Sequence, residues 1–303
     1  MKLVARGKTI EWPRRPLVMG IVNLSVDSFS GDGVADVEAA LAKARGLAAE
    51  GADIIDIGAE SARTNRGAIG EDEEAERLLA FVERWSSEVG SRNAERGTPD
   101  FHFRLPTSDF RLPLLSINTW RPAVARAVLA RGGEILNDIG ALPTDENARI
   151  CAATGAALLI MHSVGEPKVP HTHVGYGDVM ARIEEFFAEK IALAENAGVP
   201  RDAIILDPGI DFAKQRADNL RIYRELERLA EFERPILLPV SRKTVIGEVL
   251  GLPNPANRDA GTVACIVQGM LRGAHIFRVH NVRAAAQAVR MIEAAEGRAP
   301  ARP

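Results

Sequence analysis

Leu17–Gly33, LVMGIVNLSVDSFSGDG, is an apolar run that stops abruptly in a polar, glycine-rich segment. Leu17, Val18, Met19, Ile21 and Val22 read as a strand buried on both faces, the pattern of a parallel sheet. Asn23 falls where that strand should end, and the Ser, Asp and Gly residues behind it suit a loop that wraps a charged ligand. In barrels and doubly wound sheets, chemistry collects at the C-terminal ends of the strands. One such junction is only a turn. Its recurrence along the chain is what decides the fold.

Downstream, Asp36–Glu50 has helical spacing and Gly51 is placed to end it. A second strand, Asp53–Gly58, runs into the polar segment GAESARTNRG, and an acidic helix start follows at Glu71–Glu76. Ser86–Pro113 breaks the rhythm, being too long for an ordinary connection. It reads as a surface elaboration or subunit contact between the second helix and the third strand, on the face away from the strand C-ends. Strands at Leu114–Asn118, Ile135–Asp138, Ala157–Met161, Ile204–Leu206, Pro235–Val240 and Ile276–Val279 then alternate with helices. Those helices are expected near Arg121–Arg131, Asp145–Thr154, Asp178–Ala197, Asp218–Ala230, Asp259–Leu271 and Arg283–Ala295. Eight strand-helix units in α/β alternation predict a single eight-stranded parallel (β/α)8 TIM barrel spanning residues 1–303. A doubly wound open sheet is the alternative. The barrel is favoured because the units fill the length, no linker divides them, and no GxGxxG follows the first strand.

Composition narrows the function classes. Of 303 residues 46% are hydrophobic, enough for a large core, and 38 Lys plus Arg are interspersed with 41 Asp plus Glu. No basic face for nucleic acid is evident. The N-terminus lacks the apolar core of a signal peptide, and no run reaches about 18 apolar residues, so a cytoplasmic protein without membrane partners is expected. Cys151 and Cys265 stand alone in apolar helical contexts and read as structural thiols. His171 and His173 form an HxH with no third ligand in evidence, a weak case for zinc.

In a barrel the eight strand ends meet on one rim. They supply Asn23, Ser61–Arg63, Asn118, Asn137-Asp138, His162, Asp207, Ser241–Lys243, and Arg278 with His280. Amides and carboxylates suit a heteroaromatic hydrogen-bonding edge, while Arg63, Lys243 and Arg278 suit an anion such as phosphate. Together they point to a small ligand carrying both. Taken singly, His162 reads as a satisfied rim histidine, Asp53 and Asp56 as structural, and Asp138 as a support for loop geometry.

The chain resembles the dihydropteroate synthase family along nearly its whole length, in the motifs MGIVNLSVDSFSGDG, GADIIDIGAESAR, SINTWRPAVARA, ILNDIGAL, ILDPGIDFAK, PVSRKTVIGEVLG and AGTVACIVQGMLRGAHIFRVHNV. That resemblance implies a pterin-binding barrel, a transferase that condenses hydroxymethyl-dihydropterin diphosphate with para-aminobenzoate and releases pyrophosphate in folate biosynthesis. It implies that Asn118, Asn137, Asp207 and Lys243 hold the pterin, and that Asn23, Arg278 and His280 grip the diphosphate, with magnesium near Asn23. Phe29, Arg63, Phe212, Ser241 and Lys243 would shape the para-aminobenzoate site. Lys243, Arg278, His280 and Asp207 would carry the catalysis, through departure of diphosphate and attack of the amine on a pterin-methyl cation, in a homodimer.

Four departures from the family pattern touch this reading. Its SVDT reads SINT, so an aspartate is Asn118; its STRPG reads SARTNRG, with Ala62 and Thr64; the first loop has Val26 for a proline and its second aspartate moved to Asp32; and Pro239 replaces a glycine before SRK. A pterin-binding paralogue with another acceptor, a folate-dependent methyltransferase and a non-catalytic pterin-binding protein are the alternatives. SRK and RVH point away from the methyltransferase.

Overall fold

The computed structural model describes all residues other than 13–14, 25–32, 34–35, 61–68, 95–112, 166, 168, 170–173 and 298–303. Phe29, Arg63, His171 and His173 lie outside the described residues. The chain opens with an antiparallel hairpin, β1 (Lys2–Ala5) and β2 (Lys8–Glu11), which the sequence reading did not anticipate. Its inward side chains, Leu3, Ala5 and Ile10, are buried. It is tied to the connections that precede barrel strands, through Arg6 N to Gly155 O at 2.6 Å and Lys8 to Glu134 at 2.8 Å. The hairpin therefore caps the N-terminal end of the barrel and leaves the opposite rim open.

The barrel strands are β3 (Leu17–Asn23), β4 (Ile54–Gly58), β5 (Leu114–Asn118), β6 (Ile135–Asp138), β7 (Ala157–Met161), β8 (Ile204–Asp207), β9 (Leu237–Leu238) and β10 (Ile276–Val279). All pair in parallel, in the order β8-β7-β6-β5-β4-β3-β10-β9. One parallel bridge, Leu206 with Ile236, joins the two ends of that order. The seventh strand expected over Pro235–Val240 is regular only at Leu237–Leu238. Pro235 has no N–H to give to a ladder, and Pro239 ends the run.

Helices pack around this sheet: α1 (Val37–Glu50), α2 (Glu71–Ala94), α3 (Pro122–Leu129), α4 (Glu146–Thr154), α5 (Val179–Asn196), α6 (Arg216–Glu225), α7 (Thr244–Leu250), α8 (Asp259–Leu271) and α9 (Val282–Ala295). Several of their starts are set by side chains: Asp36 accepts from Ala39 N, Asp178 from Met180 N and Ala181 N, and Asn281 from Ala284 N. Of the stretch 86–113 read as an insertion, residues 86–94 continue α2, and 95–112 lie outside the described residues. Helix α7 was missed in the sequence because its cap comes from elsewhere. Asp211, in the loop after β8, accepts from Thr244 N, and from Val245 N at 3.3 Å.

Asp53, just before β4, is fully buried and accepts both Arg15 guanidinium N–H groups at 2.7 and 2.8 Å and Val18 N at 2.9 Å. It locks the entries of β3 and β4 together, as its structural reading anticipated. Removing one partner of a buried pair strands the other charge, so Arg15→Ala should destabilise the protein by about 3 kcal/mol. Urea unfolding measures this, and a loss below about 1 kcal/mol would mean that water replaces the guanidinium.

Candidate active site

Strand register assembles the rim. Asn23 lies opposite Gly58, Gly58 opposite Asn118, and Asn118 opposite Asn137, so one layer crosses four adjacent strands. Gly58 sits between two amides, with a missing side chain that keeps the layer open toward Asn118, 3.4 Å from where a Cβ would stand.

Beneath that layer is Asp56, fully buried on β4. Its Oδ1 accepts from Ser116 Oγ at 2.6 Å and Asn137 Nδ2 at 3.1 Å. Its Oδ2 accepts from Arg278 Nε at 2.7 Å, Asn118 Nδ2 at 3.3 Å and Asn137 Nδ2 at 3.2 Å. One carboxylate thus orients three residues singled out in the sequence. Its structural reading holds, with the added finding that a charge inside the apolar run Ile54-Ile55-Asp56-Ile57 draws its partners from the rim. With both asparagine N–H₂ groups turned to Asp56, their carbonyl oxygens turn away from it. Asn137 Oδ1 is buried and has no partner in the structure, an acceptor prepared for an N–H donor.

Asp207 ends β8 and is 3% exposed; its Oδ1 accepts from Gly209 N at 2.7 Å. Burial pushes its carboxyl up to about 6, against the opposing pull of the Gly209 N–H and the Lys243, Lys214 and Arg278 charges. Lys243 Nζ donates to Ile210 O at 2.7 Å and stands 4.8 Å over the Phe212 ring. Burial lowers its ammonium below the ordinary lysine range, while Asp211 and Asp207 hold it up.

Ser241 and His280 form a third group. Ser241 Oγ accepts from His280 N at 3.1 Å and lies 2.8 Å from His280 Nδ1. With Oγ accepting the backbone N–H, its proton is available for Nδ1, and in that tautomer Nε2 carries the ring N–H. The pair holds the His280 ring in place. Arg242, next to Ser241 in sequence, takes a left-handed backbone with φ 57° and is fastened to Asp259 at 2.8 and 3.2 Å.

The remaining readings fall as follows. Asp138 accepts from Gly140 N and Asn147 Nδ2 at 2.7 and 2.9 Å and supports its loop. Cys151 is buried, which raises its thiol, and Cys265 is half-buried; both are free. His162 is buried against Lys214, whose Nζ lies 2.8 Å from Nδ1, a partner that the sequence reading did not single out. Burial and the Lys214 and Arg182 charges push His162 down to about 2, so it is a neutral acceptor. Phe212 is partly buried beside Lys243, whereas the loop positions Phe29 and Arg63 are outside the described residues. Among the described residues no three His, Cys, Asp or Glu side chains converge on a metal position.

The model of a pterin binding enzyme matches residues 19–92 and 107–280. The dihydropteroate synthase of Escherichia coli K12 is 34% identical over 295 residues, 97% of this chain and 96% of that one. Among solved structures, dihydropteroate synthase of Xanthomonas albilineans with 4-aminobenzoic acid is 35% identical with a TM-score of 0.81, covering 97% of this chain and 98% of that one. The dihydropteroate synthase of Thermus thermophilus in complex with 6HMPPP is 31% identical with a TM-score of 0.76, covering 97% of this chain and 99% of that one. With a rim of amides, buried carboxylates and cations on a parallel barrel, the chain belongs to the family of pterin binding enzymes and, within it, to the dihydropteroate synthases.

Proposed function

We propose that this chain condenses hydroxymethyl-dihydropterin diphosphate with para-aminobenzoate and releases pyrophosphate. The observation that carries the reading is the Asp56 hub, which presents Asn137 Oδ1 as a buried acceptor without a partner, on the same rim as the Asp207 carboxylate. Relatives solved with 4-aminobenzoic acid and with 6HMPPP support the substrate pair.

The chemistry follows from residue type. Asp207, Asn137 and Asn118 offer acceptors to the amino and ring N–H groups of a pterin, and Lys243 offers N–H to its carbonyl. Arg278 is fixed through Nε to Asp56, so its two Nη groups can fork onto phosphate oxygens, and His280 adds an N–H from Nε2. The C–O bond to diphosphate breaks first and its electron pair leaves with pyrophosphate. The amine lone pair then forms the C–N bond, and the ammonium proton is lost to solvent or product. The buried Asp56 and Asp207 charges stabilise the intervening cation. Phe212 would lie along the acceptor ring, with Phe29, Arg63 and Ser241 completing that pocket in this proposal.

Among the described residues the donors around Asn23 are amides and form no carboxylate cage, so a magnesium there would be held largely by diphosphate oxygens and water. When bound, it would neutralise charge on the leaving group.

A homodimer is part of this proposal, and α8 is the feature that supports it. This helix is apolar along DAGTVACIVQGML yet buries only Thr262, Ile266 and Gly269, and Leu271 at its end is 58% exposed. No helix among the described residues is long and apolar enough to cross a membrane, and cytoplasmic residence remains part of this proposal. Light scattering should return twice the 32.7 kDa chain mass, and Leu271→Glu should shift the population toward one chain. A monomer at micromolar concentration would refute the dimer.

Turnover is read as pyrophosphate and dihydropteroate from the two substrates with magnesium. Lys243→Ala and Arg278→Ala should each lower kcat/KM by about a hundredfold or more, near 3 kcal/mol of transition-state stabilisation. Pterin binding without dihydropteroate, unchanged by Asn118→Asp, would instead favour a paralogue with another acceptor.

The anionic form of Asp207 is the one that accepts two pterin N–H groups, and burial places its titration near 6. On the acid side, pterin affinity should therefore fall as the pH drops through about 6, since below that point the Asp207 carboxyl carries a proton. Calorimetric titration across about pH 5 to 8 checks this, and Asp207→Asn should flatten the profile.

A further inference from the structure

The loop that follows β8, Pro208–Lys214, supplies or seats much of the proposed pterin site, and its shape is unusual. Gly209, Asp211 and Ala213 all take positive φ, at 68°, 69° and 50°. At Gly209 a Cβ would stand 2.0 Å from the carbonyl oxygen of His162, so only glycine fits. Two non-glycine residues in the left-handed region store strain that the surroundings must offset.

The group that offsets it is the Lys214 ammonium. It is 8% exposed, and lies 2.8 Å from His162 Nδ1 and 3.0 Å from each of Gly209 O and Phe212 O, with His162 O at 3.3 Å. An ammonium has three N–H bonds, and three acceptors lie at 3.0 Å or closer. Lys214 is saturated by protein and has no donor to offer a ligand. What it does is fold the loop around one buried charge and tie it to the end of β7, where His162 N also donates to Asp207 O at 2.8 Å.

Three groups of the site depend on that loop. Gly209 N fixes Asp207 Oδ1, Ile210 O receives the Lys243 ammonium, and the Phe212 ring lies under it. Asp211, from the same loop, caps α7, at whose N-terminus Lys243 stands. We propose that Lys214, seated against His162 and the loop carbonyls, is the positioning residue for Asp207 and Lys243 in the reaction proposed above, on which this inference rests. It acts through the loop and touches no substrate. Removing its charge leaves the Gly209 and Phe212 carbonyls without their donor, the loop relaxes toward ordinary backbone angles, and Ile210 O no longer meets Lys243.

A double-mutant cycle on pterin affinity separates positioning from general stability. Lys214→Met should weaken pterin binding about tenfold or more, and Lys243→Met should weaken it similarly. If Lys214 works by seating Lys243, the double variant should bind about as poorly as the weaker single one. Should Lys214→Met fail to fold, His162→Phe, which removes one acceptor and keeps the three carbonyls, is read in the same cycle. Losses that multiply in the double variant, or wild-type affinity in a folded Lys214→Met protein, would overturn the positioning role while wild-type turnover upholds the synthase reading. A wild-type protein that neither binds the pterin diphosphate nor releases pyrophosphate would overturn the functional reading itself.

Discussion

Placing a carboxylate at zero exposure inside a barrel costs several kcal/mol unless hydrogen bonds replace its water, and Asp56 obtains them from four residues on three other strands. Each donor is constrained in return. Ser116 faces inward, both asparagines point their N–H₂ groups down, and Arg278 commits Nε and keeps its fork. The polarity of the rim above, carbonyl oxygens at two amides and N–H groups at the guanidinium, follows from satisfying one charge below it. A ligand that offers N–H groups to the amides and phosphate oxygens to the arginine meets a surface already arranged for it.

The opposite side of the rim is organised by a cation. Lys214 gathers the β8 loop as Asp56 gathers the strand ends, and both do so out of reach of solvent. Burial pushes Lys214 down to about 7 and Asp207 up to about 6, the direction desolvation gives to a buried ammonium and a buried acid. Each charge opposes part of the other's shift. A site built this way is pre-ordered before ligand arrives, so little orienting entropy is left to be lost on binding.

Most of the fold was legible because parallel barrel strands are apolar on both faces and end in polar residues at regular intervals. Seven of the eight strand positions keep those boundaries to within a residue, and the exception, Pro235–Val240, carries prolines that limit its pairing. What escaped was non-local. The hairpin β1–β2 is short and half apolar, and gains its stability from the barrel floor it covers. Helix α7 begins at Lys243 without a local cap, and its cap, Asp211, lies 33 residues away from Thr244. The structure brings Asn118, Asn137, Asp207 and Lys243, read from the sequence as strand ends, to one rim, whereas the partners of Asp56 and Lys214 lie on other elements and show only in the fold.

Asn118 shows how the chain accommodates its departure from the family motif. A carboxylate there would face Asp56 Oδ2 at the distance now bridged by Nδ2, 3.3 Å, where like charges repel and the hydrogen bond is lost. The amide avoids that conflict by donating to Asp56, and still leaves a carbonyl oxygen for the ligand. The charge absent at position 118 does not vanish from the site, since Asp56 remains one layer beneath, bonded to that amide and to Arg278. At this point of the rim the Asp56 charge is thus felt through a polarised amide and not through a second carboxylate.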